Sequence, residues 1–219
     1  MEFKTYGCSY TEYQWPTWTH WLEHDNKVKR YGVPGWGNED IARSLILNCD
    51  TKSTQVVMWS AFDRVSRDAN KKWPYVGEGK YTGSDYNKER LLSRTYEQIY
   101  LANRYCADND IKIFNFTAFP LELGEDTKLH KIKHPLKKDM PTMPISFAEF
   151  CLDHHALHPN IKDRHPTVYQ HLKYYNDVMC PVLDTKTVDK DISEQELYYS
   201  KLETKSNWKT YSGPINFIK

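Results

Sequence analysis

The sequence has no excess of charge, no long apolar run and no paired cysteines, and each absence removes a class of function. Lysines and arginines number 30 against 29 aspartates and glutamates, a formal net charge of +1. No global field draws such a chain to nucleic acid or to an anionic membrane, so any charged partner must be met locally. No apolar stretch approaches the roughly 20 residues that span a bilayer, and the opening Met1-Glu2-Phe3-Lys4-Thr5 lacks the apolar core of a signal peptide. The five cysteines, Cys8, Cys49, Cys106, Cys151 and Cys180, are odd in number and form no CxxC pair, which argues against a secreted disulfide framework and for free thiols in a reducing compartment. Repeats and low-complexity blocks are absent too, excluding solenoids and arrays. The expectation is a cytoplasmic protein with no membrane contact and no nucleic-acid partner.

The 219 residues suffice for one α/β domain with a real core and fall short of two. Apolar runs alternate with amphipathic stretches, the pattern of a mainly parallel sheet with helices on both faces. Strands are expected at 3–8, 28–33, 55–61 and 111–119. Helices are expected at 15–24, with Trp18, Trp21 and Leu22 on one face, at 39–48, with Asn38 as its N-cap, and at 89–108, 145–155 and 166–182, with Pro166 in the first turn of the last. Two insertions interrupt the domain of residues 1–183: an aromatic, glycine-bearing loop at 68–87 and a basic, proline-punctuated excursion at 121–144. Residues 184–219 form a polar arm.

Chemistry gathers at the ends of the first three strands. Gly7-Cys8-Ser9-Tyr10-Thr11 closes strand one, and a glycine before a serine at a strand end permits the tight turn that exposes a hydroxyl. Gly35 follows strand two within Gly32-Val33-Pro34-Gly35-Trp36-Gly37-Asn38, and Ser60-Ala61-Phe62-Asp63-Arg64 follows strand three. In an open parallel sheet, ligands bind beyond these carboxyl ends. Each residue also has a plainer reading: Ser9 as a turn or N-cap serine, Gly35 as an ordinary Pro-Gly turn, and Asp63 with Arg64 as a closing ion pair rather than substrate contacts. His154 and His158 have the i, i+4 spacing of helical metal ligands, but Pro159 follows at once and no HExxH glutamate is present. No metal and no cofactor is expected. Lys128 to Lys138 reads as a solvated loop. The aromatics Trp73, Tyr75, Tyr81 and Tyr86 serve either as loop anchors or as a stacking surface for sugar rings.

Taken in order, these blocks resemble the SGNH (GDSL-like) hydrolases. Gly7-Cys8-Ser9-Tyr10 is similar to the family's first block, and Gly32-Val33-Pro34-Gly35 to its second. Asp163-Arg164-His165-Pro166, near the C-terminus, is similar to its last. The resemblance covers roughly residues 1–65 and 163–182. It implies a flavodoxin-like three-layer α/β/α sandwich and a serine esterase in which Ser9 attacks, His165 takes the proton and Asp163 orients the histidine. The Ser9 and Gly35 amides would hold the oxyanion. Phe62 stands where the family's third block places an oxyanion asparagine, leaving Asn38 and Ser60 as substitute donors and Asp63 as a further substrate contact. The implied substrate is an O-acetyl or other acyl ester of a carbohydrate or small molecule. The GCSYT and GWGN blocks also look like those of proteins carried by bacterial viruses, which would place the chain in host cytoplasm or virion. On that reading the arm is a candidate contact with a second copy or a viral-particle partner. The rival implication is a binding or structural protein that keeps the fold without turnover.

Overall fold

A computed structural model describes residues 1–13, 16–62, 64, 88–121, 135–153 and 165–190. Strands β1 (Glu2–Gly7), β2 (Lys27–Arg30), β3 (Thr54–Trp59) and β4 (Ile113–Thr117) form an all-parallel sheet in the order β2-β1-β3-β4. Helices α1 (Trp18–Leu22), α2 (Asn38–Asn48), α3 (Lys88–Asp108), α4 (Phe147–Asp153), α5 (Val168–Tyr174) and α6 (Cys180–Leu183) flank it. The direction of winding reverses between β1 and β3, and such a reversal leaves a crevice outside the carboxyl ends of the two strands.

The central strands β1 and β3 are buried on both faces because both sides of their pleat carry apolar residues, whereas the edge strand β2 exposes Lys27 and Lys29. Phe3, Val56, Met58 and Phe116 enter one core with Trp18, Trp21 and Leu22 of α1, Phe147 of α4, and Val168 and Leu172 of α5. Tyr6, Val57 and Trp59 enter the other, with Ile41 and Leu45 of α2 and Ile99 and Ala102 of α3. Period-two alternation thus assigns each strand position to one face. All five cysteines are free, and among the described residues no helix is long and apolar enough to cross a membrane.

Several boundaries differ from expectation, each for a local reason. The first helix starts at Trp18 because Thr17 is its cap. Gly37, not Asn38, caps α2; the Asn38 side chain is engaged elsewhere. Pro166 stands ahead of α5, whose cap is Thr167: its hydroxyl accepts from the Gln170 N–H while the Gln170 side chain accepts from the Thr167 N–H. The expected single helix over 166–182 breaks into α5, a π-helical turn at Tyr175–Met179 and α6, because Pro181 has no N–H to return to Asp177. The excursion at 121–144 contains a short 3-10 helix, Pro135–Asp139, and its Met140 and Met143 pack on the core. The arm expected from 184 begins against the domain: Val188 is buried, with its N–H and C=O both held by the Asn176 side chain. The insertion at 68–87 lies outside the described residues.

Candidate functional site

Ser9 sits in a tight turn just past β1. The Cys8 carbonyl accepts from the N–H groups of both Thr11 and Glu12, at 2.9 and 3.1 Å, so the chain folds back within three residues and leaves Ser9 at the bend. Gly7 makes this possible. A Cβ there would lie 2.0 Å from Thr11 Oγ1 and 2.9 Å from the Met58 carbonyl oxygen, a collision with the neighbouring strand that no rotamer relieves. Gly32 is subject to a similar approach, 2.8 Å from Thr11 Cγ2. The turn is tied to the start of α1, since the Thr11 carbonyl accepts from the Thr17 hydroxyl at 2.5 Å and the Thr19 hydroxyl at 3.2 Å.

His165 reaches the same turn from the far end of the sequence. Its Nε2 lies 2.8 Å from Ser9 Oγ, within hydrogen-bond range. The imidazole stacks on Tyr13 at 4.1 Å between centroids and 20° between planes, and Tyr10 packs beside it at 5.9 Å. Tyr10 in turn touches Phe119 and Phe147. Two tyrosines of the serine turn thus hold the ring that meets the serine. Their roles had no signal in the sequence beyond their nearness to Ser9.

The remaining expected site residues divide. Gly35 has φ 84° at the third position of a turn closed by Trp36 N–H to Val33 O at 3.2 Å; with Pro34 before it this is a type II turn, which requires glycine there. Asn38, 3% exposed, is committed to structure: its amide donates to the Ser60 carbonyl at 3.1 Å and to Thr95 Oγ1 at 3.2 Å, and its Oδ1 accepts from the Ser60 N–H at 2.7 Å. Phe62 turns into a small core with Leu92 and Tyr96 of α3. Ser60 is fully buried, and its Oγ has no hydrogen-bond partner among the described residues. Asp63 and Asp163, and the histidines His154 and His158 with their metal-ligand spacing, lie outside the described residues.

No known family model matches the chain, and no curated protein does.

Titrating groups cluster beneath the serine turn. Glu12 is buried, which raises its carboxyl to about 7 despite Arg30 at 3.4 Å. Burial, and then the Arg30 guanidinium on its Nε2, hold His20 down to about 3. His171, packed edge-on against Phe147, is held well below the usual histidine range by complete burial, and neither ring nitrogen has a hydrogen-bond partner among the described residues.

The signs of these shifts fix an acid response. Both histidines stay neutral in the fold but charge in the unfolded chain near pH 6.5, so their contribution is present above that pH and lost as it falls. Glu12 acts oppositely: protonated in the fold below about 7 and ionised in the unfolded chain above roughly 4.3, it contributes stability that is full in acid and lost as pH rises through 7. Two histidines against one glutamate leave the unfolded state one proton richer, so stability should fall by about 1.4 kcal/mol per pH unit from pH ~6 to ~5. His171→Leu should nearly flatten that slope in urea unfolding, and a slope unchanged by the substitution would remove His171 from the account.

Proposed function

We propose that the chain is a serine ester hydrolase with an SGNH-type site on a flavodoxin-like three-layer α/β/α sandwich. The observation that carries this reading is the 2.8 Å contact between Ser9 Oγ and His165 Nε2 across 156 residues of sequence, at the strand edge where the winding reverses. A serine hydroxyl attacks a carbonyl only when a base takes its proton, and a ring nitrogen at this distance is placed to do so. Ser9 then forms the acyl-enzyme, and His165 returns the proton to the leaving alcohol and afterwards activates water. Asp163, two residues before the histidine, is assigned to orient the ring, and Asp63 to the substrate side of the site.

The oxyanion needs preorganised donors. The amides of Ser9 and Gly35 supply two, and the Ser60 hydroxyl replaces the missing asparagine. Asn38 contributes by clamping the Ser60 backbone rather than by donating to the substrate. The tight aromatic surround of Tyr10, Tyr13 and Phe147 suits a short acyl group such as acetyl, on a carbohydrate or small-molecule alcohol. The mechanism calls on no cofactor. A role in an infected cell or viral particle, with residues 184–219 as the contact to a partner or second copy, belongs to the same reading.

A fluorophosphonate probe tests it directly. The wild-type chain should be labelled at Ser9, and Ser9→Ala should not. A folded wild-type chain that resists the probe would transfer the site to the rival reading, a binding protein that keeps the fold without turnover.

A further inference from the structure

Behind the turn that carries Ser9 lies a carboxylate that the proposed chemistry does not use. Glu12 is 5% exposed, and its own N–H closes that turn on the Cys8 carbonyl at 3.1 Å. Its stem is pinned: the chain after β2 passes so close that a Cβ on Gly32 would lie 2.9 Å from Glu12 Cγ. Among the described residues, the charged and titratable groups set around the carboxylate come from β2 and α1. Arg30, at the end of β2, approaches it to 3.4 Å through Nε, and Glu23, the C-cap of α1, shares the same guanidinium at 3.7 Å. His20 of α1 meets that guanidinium through Nε2, and the Thr19 hydroxyl donates to the carboxylate.

A carboxylate at this depth, opposed by one shared cation, costs the fold more than a neutral side chain of the same shape. Burial accordingly raises its carboxyl to about 7, and groups kept at such a cost gather at functional sites. What its charge holds is the turn. The Thr19 hydroxyl has one proton and two acceptors, the Glu12 carboxylate and the Thr11 carbonyl at 3.2 Å. Thr11 is also the residue whose N–H joins that of Glu12 on the Cys8 carbonyl. Protonation of Glu12 ends its pull on Arg30 and returns the Thr19 proton to Thr11, so one proton resets both residues that close the bend under Ser9.

We infer that the Glu12 carboxylate, paired with Arg30, is a positioning residue that holds Ser9 against His165. It acts through the turn and not on the substrate. As a role in ester attack this rests on the hydrolase reading; the coupling of carboxylate to turn does not.

Glu12→Gln keeps the shape and removes the charge, so it imitates the protonated form. The wild-type kcat for 4-nitrophenyl acetate should exceed that of Glu12→Gln by less than about twofold at pH ~6 and by about tenfold at pH ~8.5, with the midpoint near 7. The ionisation of His165 is common to both proteins and divides out of the ratio. Thermal melts should move the other way: Glu12→Gln should stay close to the wild type in acid and melt higher at pH ~8.5, because only the wild type then buries the ion. A ratio independent of pH, or a rate loss accompanied by a lower melt, overturns the positioning role.

A second readout needs no turnover. In His165→Ala, where the base no longer titrates, the Ser9 and Thr11 amide signals in nitrogen–proton correlation spectra should shift with a midpoint near pH 7. Adding Glu12→Gln should abolish that step. The step without hydrolysis of the ester at any pH keeps Glu12 coupled to the turn and removes the hydrolase reading, whereas its absence overturns the positioning role even where the ester is turned over. Should Glu12→Gln fail to fold, Arg30→Gln takes its place: loss of the cation keeps Glu12 protonated to higher pH, so the amide step should move above 7, and an unmoved step overturns the pairing.

Discussion

Hydrolysis of 4-nitrophenyl acetate should fall by nearly the same factor in Ser9→Ala, in His165→Ala and in the double variant, on the order of 10⁴-fold or more. The reason is that the two side chains perform one act. Without the ring nitrogen 2.8 Å from its Oγ, Ser9 remains a weak, fully protonated nucleophile at neutral pH; without Ser9, His165 has no bound hydroxyl to deprotonate. Removing the second partner therefore costs little once the first is gone, and the residual rate belongs to the oxyanion donors and to substrate binding. Single losses that instead multiplied in the double variant would mean that serine and histidine act independently, and the acyl-enzyme would have to be abandoned. Steady-state rates at one pH, with each variant's fold verified by circular dichroism, decide the matter.

What the sequence discloses about this edge depends on whether a residue's function is local. Gly7 and Gly35 are legible because each answers a backbone demand of its neighbours: Gly7 must let Thr11 fold back against β1, and Gly35 must adopt φ 84° after Pro34. The strands were legible from composition, with ends displaced by one to three residues. The commitments made across the fold were not legible. Asn38 has the residue type of an N-cap and the position of one, yet its amide spans 22 residues to Ser60 and 57 to Thr95. No periodicity records that. Phe62 gives the same lesson in reverse, since its value lies in Leu92 and Tyr96 of α3 rather than in the strand end it follows. The stack of Tyr13 on His165 likewise joins residues with no relation in the sequence.

The largest effect expected away from the serine–histidine pair is at Ser60: replacement by alanine should lower kcat on the order of 10²-fold with little change in KM, while leaving the melting temperature unchanged or higher. Both halves follow from one fact. Ser60 Oγ is fully buried without a hydrogen-bond partner among the described residues, and a buried unpaired hydroxyl costs roughly 1–3 kcal/mol, so deleting it should relieve the fold. Continued alternation past β3 would put Ser60 on the face of Val56 and Met58, and the pairing of Gly7 with Met58 brings the turn after β1 and the end of β3 to the same edge of the sheet. Asn38 fixes its backbone from the opposite side, so the hydroxyl is held in place before substrate arrives. A donor preorganised in this way stabilises charge that develops only in the transition state, which moves kcat rather than KM. The fluorophosphonate reaction should slow in parallel, because the phosphonate oxygen would occupy the same hole. Should Ser60→Ala instead raise KM alone, or lower stability with kcat intact, the hydroxyl would be a packing or binding group and the oxyanion would rest on the Ser9 and Gly35 amides.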